Sequence, residues 1–105
     1  MNAQLQLSSI EIKAAYVFNF IQYVQWRNEE NLHEFRVGFY GNEKNYWKAL
    51  KSMEGRKIRK KPIKTQHLLS LSDTSNLQLL VVGKSKSKDL SVISKQLSGK
   101  EILLV

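Results

Sequence analysis

Residues 77–83 read Leu-Gln-Leu-Leu-Val-Val-Gly, and no other stretch limits the possible folds as strongly. A strand with one wet face alternates apolar and polar side chains, whereas a near-continuous Leu/Val run belongs to a strand covered on both faces. Two further stretches behave alike: "FRVGFYG" at 35–41, where Arg36 alone breaks the apolar run before Gly41, and "EILLV" at 101–105. A fourth strand is expected over Ile63–Leu68. Pro62 should sit at its first residue or on a sheet edge, because proline offers no N–H to a ladder.

Helical spacing fills the intervals. Tyr46, Trp47, Leu50 and Met53 share one face of a helix over 43–54, stopped by Gly55. Leu90, Ile93 and Leu97 do the same over 88–99, closed by Gly99. "LSDTSN" at 71–76 is turn chemistry with room for one helical turn. Ahead of these elements lies "KAAYVFNFIQYVQW" at 13–26, the most aromatic part of the chain. Ser8 can cap a helix there, with Glu11 reaching back to the cap amide and Leu7 and Ile12 as its staple. The expected helix runs from Ser9 to Trp26. Ala14, Val17, Phe18, Ile21 and Val24 form its wide apolar face, which Tyr16, Phe20 and Tyr23 extend; Glu11, Asn19, Gln22 and Gln25 leave only a narrow polar strip. Such a helix packs against a sheet. Its surplus aromatic surface, Tyr16, Phe20, Tyr23 and Trp26, is the expected face for a partner or a second copy.

The order α-β-α-β-β-α-β with buried strands gives an α/β fold: a three-layer sandwich around a mostly parallel four-stranded sheet, with expected strand order 2-1-3-4. All 105 residues form one domain. Because the sequence stops at its last buried strand, the domain is expected to be truncated at its C-terminal end or completed by a second copy on the open edge.

Lys and Arg number 17 against 9 acids, a formal charge of +8 that favours anionic partners. The densest cluster is Arg56, Lys57, Arg59, Lys60, Lys61 and Lys64. No aromatics are interleaved there, as a single-strand stacking surface would want, so the ordinary reading is a solvated loop. Nucleic-acid binding through 56–64 stands as the alternative function. There is no cysteine, which excludes disulfides and thiolate metal sites. No signal-peptide pattern is present, and Asn19, Gln22 and Gln25 interrupt the apolar run well short of the roughly 18–20 residues a membrane helix needs.

Chemistry-bearing motifs are few. Gly38 and Gly41 fit no phosphate-binding loop, His33 and His67 lack a neighbour at metal spacing, and Asp73 and Asp89 sit where capping explains them. No serine occupies a nucleophile elbow. No catalytic residue, metal or cofactor is expected. In a doubly wound sheet ligands bind beyond the carboxyl ends of the strands where the order reverses. That places the expected ligand rim at Asn42 and Glu43 after the first strand, beside Gly41, and at Lys84, Ser85 and Lys86 after the third, beside Gly83. Small side chains and free amides there suit an anion.

"IKAAYVFNFIQYVQW" closely resembles the opening of the YfiR-like family, matching it at Lys13, Ala14, Ala15, Tyr16, Asn19, Phe20, Val24 and Trp26. "FRVGFYG", "ALKSMEGRKIRKKPIKTQHL", "LQLLVVG" and "ILLV" resemble later pieces of the family in order. Arg27 stands in place of the usual proline and Gln25 in place of the usual glutamate, and the cysteines of some members are missing. The resemblance implies a periplasmic, non-catalytic regulatory domain. Its partner would be an inner-membrane signalling protein, such as a diguanylate cyclase, or output domains of the same chain, such as a histidine kinase. A small-molecule ligand of unknown identity and a homodimer are compatible with it.

Overall fold

The computed structural model describes residues 9–74, 76–100 and 102–105. The expected cap at Ser8 and staple at Leu7 lie outside these residues. Helix α1 spans Ser9–Tyr23, followed by β1 (Phe35–Tyr40), α2 (Lys44–Lys51), β2 (Lys57–Ile58), β3 (Lys61–Leu68), β4 (Leu79–Val82), α3 (Leu90–Gln96) and β5 (Leu103–Leu104). Short 3-10 turns lie at Glu29–Asn31, Leu71–Asp73 and Lys84–Asp89.

The sheet order is β2-β3-β1-β4-β5. The four expected strands take their expected order, with β1 between β3 and β4. Phe35 pairs with Ile63 on one side and Val37 with Leu79 on the other, both parallel, and Leu79 pairs with Leu103 in the same sense. The sheet departs from expectation at one edge, where β2 adds antiparallel to β3 through Lys57–Pro62 and Ile58–Lys61. Arg59 and Lys60 make the two-residue connection, both left-handed, at φ 49° and 72°. Two positive φ values in succession give the strand-matched twist of a primed hairpin turn. Pro62 sits opposite Lys57 on this edge, the second residue of its strand.

Alternation along the strands divides the core into two layers. Phe35, Val37 and Phe39 of β1, Ile63 of β3 and Leu79 and Val81 of β4 meet α1 and α2. Leu68, Leu77 and Leu80 meet Ile93 and Leu97 of the α3 region on the opposite face. Each large apolar side chain so enclosed contributes roughly 1.5–3 kcal/mol. Gly38 serves the second layer: a Cβ there would lie 2.7 Å from Leu77 Cδ1 and 3.3 Å from Leu68 Cδ1. Its missing side chain is the space those leucines fill.

Two helix expectations need correction. Leu90 is exposed, because only Ile93 and Leu97 of its spacing reach the sheet. Helix α1 ends at Tyr23, three residues earlier than the apolar pattern suggests. The chain then turns through Asn28, at φ 58°, into Glu29–Asn31. That exit swings Trp26 inward, where its ring packs 5.7 Å from that of Phe35 and its indole N–H donates to Gln78 O at 3.1 Å.

Candidate functional site

The sheet reverses its order between β1 and β4, and the segments after these strands meet there. Gly83 N donates to Tyr40 O at 2.8 Å, which sets the two carboxyl ends side by side. Asn42 N donates to Ser85 Oγ at 2.9 Å; Ser85 N donates to Glu43 Oε2 at 2.6 Å, and Ser85 Oγ to Glu43 Oε1 at 3.0 Å. Asn42, Glu43 and Ser85 are thus brought together, across 42 residues of sequence, into one latch. Lys84 and Lys86 flank it. The ammonium of Lys86 stands 5.2 Å from the ring centroid of Tyr40.

The latch corrects one part of the sequence reading. An anion was expected to take free amides in these loops, but the Ser85 amide already serves the chain's own carboxylate. Gly41 makes room for it: a Cβ there would lie 2.6 Å from Glu43 Oε1 and 2.9 Å from Gly83 Cα. Burial pushes the Glu43 carboxyl upward, but the Ser85 amide and hydroxyl outweigh that and hold it below its ordinary 4.5. Glu43 is therefore ionised at neutral pH. Beside the latch, His67 Nε2 donates to Gly41 O at 2.9 Å while its ring stacks on Trp47, 5.2 Å away. That arrangement is structural, and among the described residues no group of three or more His, Asp or Glu side chains is placed to hold a metal ion.

A cavity of about 590 Å³ opens next to the latch, within the range of small-molecule sites. Lys13, Tyr16 and Phe20 of α1 and Tyr46 of α2 form one side. Val82, Lys84 and Val105 form the other, with Glu43 at the border. The expected ligand rim and the expected partner face, far apart in sequence, therefore contribute to the same concavity. Tyr16, Phe20 and Tyr23 are 58%, 41% and 84% exposed, as a contact face requires. Trp26 is not part of that face. At 7% exposure it belongs to the core, for the geometric reason given above.

The basic cluster has a different role from the one its charge suggests. Arg59 donates to both carboxylate oxygens of Glu29, at 2.8 and 2.9 Å, and to the carbonyls of Ile21, Gln22 and Val24 at the end of α1. Its guanidinium also lies 5.2 Å from the Phe35 ring centroid. Lys61 Nζ donates to Glu29 O at 2.6 Å, Arg56 covers the Phe18 ring at 4.0 Å, and Lys64 pairs with Glu54 at 3.7 Å. The Arg59 hydrogen bond is the main reason the Glu29 carboxyl lies below 4.5. Four of the six cations are thus engaged within the fold. Sequence reasoning missed this clamp; its only local signal was the Arg-Lys pair in a tight turn.

The fold is that of a three-layer α/β domain with an apolar concavity beside the switch point. The family model described as YfiR/HmsC-like matches residues 10–105, and the chain belongs to that family. The family is one of regulatory rather than catalytic domains. No curated protein and no solved structure matches the chain significantly.

Proposed function

We propose that the chain is a non-enzymatic, extracytoplasmic sensor or regulatory domain that controls a membrane-bound signalling protein, a histidine kinase or a diguanylate cyclase, by binding a ligand or a protein. One observation carries this reading: α1 lends Tyr16 and Phe20 both to the cavity and to the exposed surface. Whatever fills the cavity alters the face that α1 presents. The signal is then a population shift between two packings of that face, as large as the difference in ligand affinity for them. Tyr16, Phe20 and Tyr23 form the contact face, for the signalling protein or a second copy, while Glu43 and Lys84 border the ligand and Asn42, Ser85 and Lys86 support the rim. A periplasmic site of action is supported by family membership. Among the described residues no helix is long and apolar enough to cross a membrane.

Nucleic-acid binding through residues 56–64 is the weaker reading, because Arg56, Arg59, Lys61 and Lys64 are committed to rings, carboxylates and carbonyls of their own chain. The test replaces Tyr16 and Phe20 together by Ser in the host's full-length protein and measures cellular cyclic di-GMP and kinase phosphorylation. One of these outputs should change while the folded chain stays intact. Unchanged output in both, or tight and steeply salt-dependent DNA or RNA binding by the purified chain, would refute the proposal.

A further inference from the structure

The cavity beneath α1 has a chemistry that selects among ligands. Its walls are predominantly apolar, with Tyr16, Phe20 and Tyr46 offering rings and Val82 an aliphatic surface. Two lysines line it from separate elements, Lys13 from α1 and Lys84 from the segment after β4. Lys13 Nζ stands 5.9 Å from the Tyr46 ring centroid, so one positive charge is held directly at the aromatic wall. Burial raises the Tyr46 phenol above its ordinary 10.0, which keeps it neutral. Glu43 carries the single acidic side chain among the lining residues, and both its oxygens already accept from Ser85. What remains to greet a ligand is an apolar enclosure with a positive border.

We infer that this cavity binds a small amphipathic anion, a carboxylate carried on an aromatic or branched aliphatic body. A neutral hydrophobe would gain nothing from the two lysines, and a cation would meet them as like charges. A sugar-like polyol would gain nothing from burying polar groups against ring and methyl surfaces. The chain's +8 charge adds a long-range bias in the same direction. This ligand class rests on the sensory reading for its biological meaning. Binding is measured on the purified chain and signalling in the host, so failure of one is distinguishable from failure of the other.

The experiment titrates the purified chain with hydrocinnamate, with its neutral amide and with phenethylammonium, following backbone and side-chain NMR shifts. Hydrocinnamate should perturb Lys13, Tyr16, Phe20, Tyr46 and Lys84 and bind about fivefold more tightly than the amide, the upper end for a partly exposed ion pair. Phenethylammonium should bind more weakly than either. Lys13→Met with Lys84→Met keeps the aliphatic stems and should erase the preference for the acid while leaving binding of the amide. Equal binding of all three probes, shifts located elsewhere, or no shifts at millimolar probe would overturn the assignment. So would concentration-dependent burial of Tyr16 and Phe20 without any probe, which would assign the cavity to a second copy.

Discussion

The two ends of α1 are secured by different physics. At the carboxyl end, a single arginine from the β2–β3 turn satisfies two carbonyls of the last helical turn, the Val24 carbonyl just beyond it and one carboxylate. Charge-assisted bonds to several orphan carbonyls define one geometry, because few alternatives satisfy them together. Ahead of that end, α1 overhangs the cavity with Ile10, Lys13 and Tyr16 of its amino half, joined by Phe20 from the last turn, and Tyr16 is more than half exposed. Apolar contact of that kind is non-directional and tolerates rearrangement. A regulatory domain needs both, a fixed end to transmit from and an adaptable end to respond.

The contrast is most easily broken at the fixed end. Trp26→Ala removes a buried indole and its bond to Gln78 O, and should lower unfolding free energy by about 3–5 kcal/mol in urea titrations. A loss below about 1 kcal/mol would mean that the ring is not the wedge described. Arg59→Met keeps part of the stem over Phe35 but deletes the clamp, and should cost about 2 kcal/mol. Lys57→Met on the same hairpin should stay within about 0.5 kcal/mol. Equal effects would make the basic cluster a matter of bulk charge rather than of Arg59.

Acid sharpens the same point. Glu29, Glu43 and Glu54 all have folded-state pKa values below 4.5. For Glu29 the Arg59 hydrogen bond is the main cause; for Glu54 it is the Thr65 hydroxyl; for Glu43 burial opposes the shift and Ser85 overcomes it. As pH falls, the unfolded chain takes up each proton first. The stability these carboxylates contribute is therefore present above pH 4.5 and is lost as pH drops through their lower folded values. The urea midpoint should decline below pH 4.5, less steeply in Glu29→Gln. An identical slope would detach Glu29 from the clamp.

The turn itself carries a smaller effect. Lys60 holds φ 72°, a conformation that glycine adopts without steric cost. Lys60→Gly should raise stability by up to about 1 kcal/mol; a loss of that size would show that its side chain matters to the hairpin. The smallest expected change is at the open end, where Tyr16→Ser should alter stability by no more than about 0.5 kcal/mol. A large loss there would make Tyr16 a core residue and remove it from the proposed contact face.

The architecture was readable because its signals are local. Leu79–Val82 and Phe35–Tyr40 announce buried strands through composition alone, and Tyr46, Leu50, Ile93 and Leu97 mark helix faces by spacing. The errors arise where partners are remote. Arg59 meets Glu29 across 30 residues, and Trp26 meets Gln78 across 52. No pattern in "EGRKIRKKPIK" distinguishes a hairpin from a solvated loop, because its turn lacks the usual Asn-Gly. The ligand rim was placed by topology, and its residues do converge. That Glu43 would occupy the Ser85 amide itself depends on a side-chain orientation that topology does not determine.

Amide hydrogen exchange along α1 tests the asymmetry most directly. Ile21, Gln22, Tyr23 and Val24 should exchange at rates close to those of β1, the centre of the sheet, while Lys13–Val17 exchange about tenfold faster or more. Protection that is uniform along the helix, or weakest around Val24, would contradict the picture of a helix clamped by Arg59 at one end and more loosely held at the other.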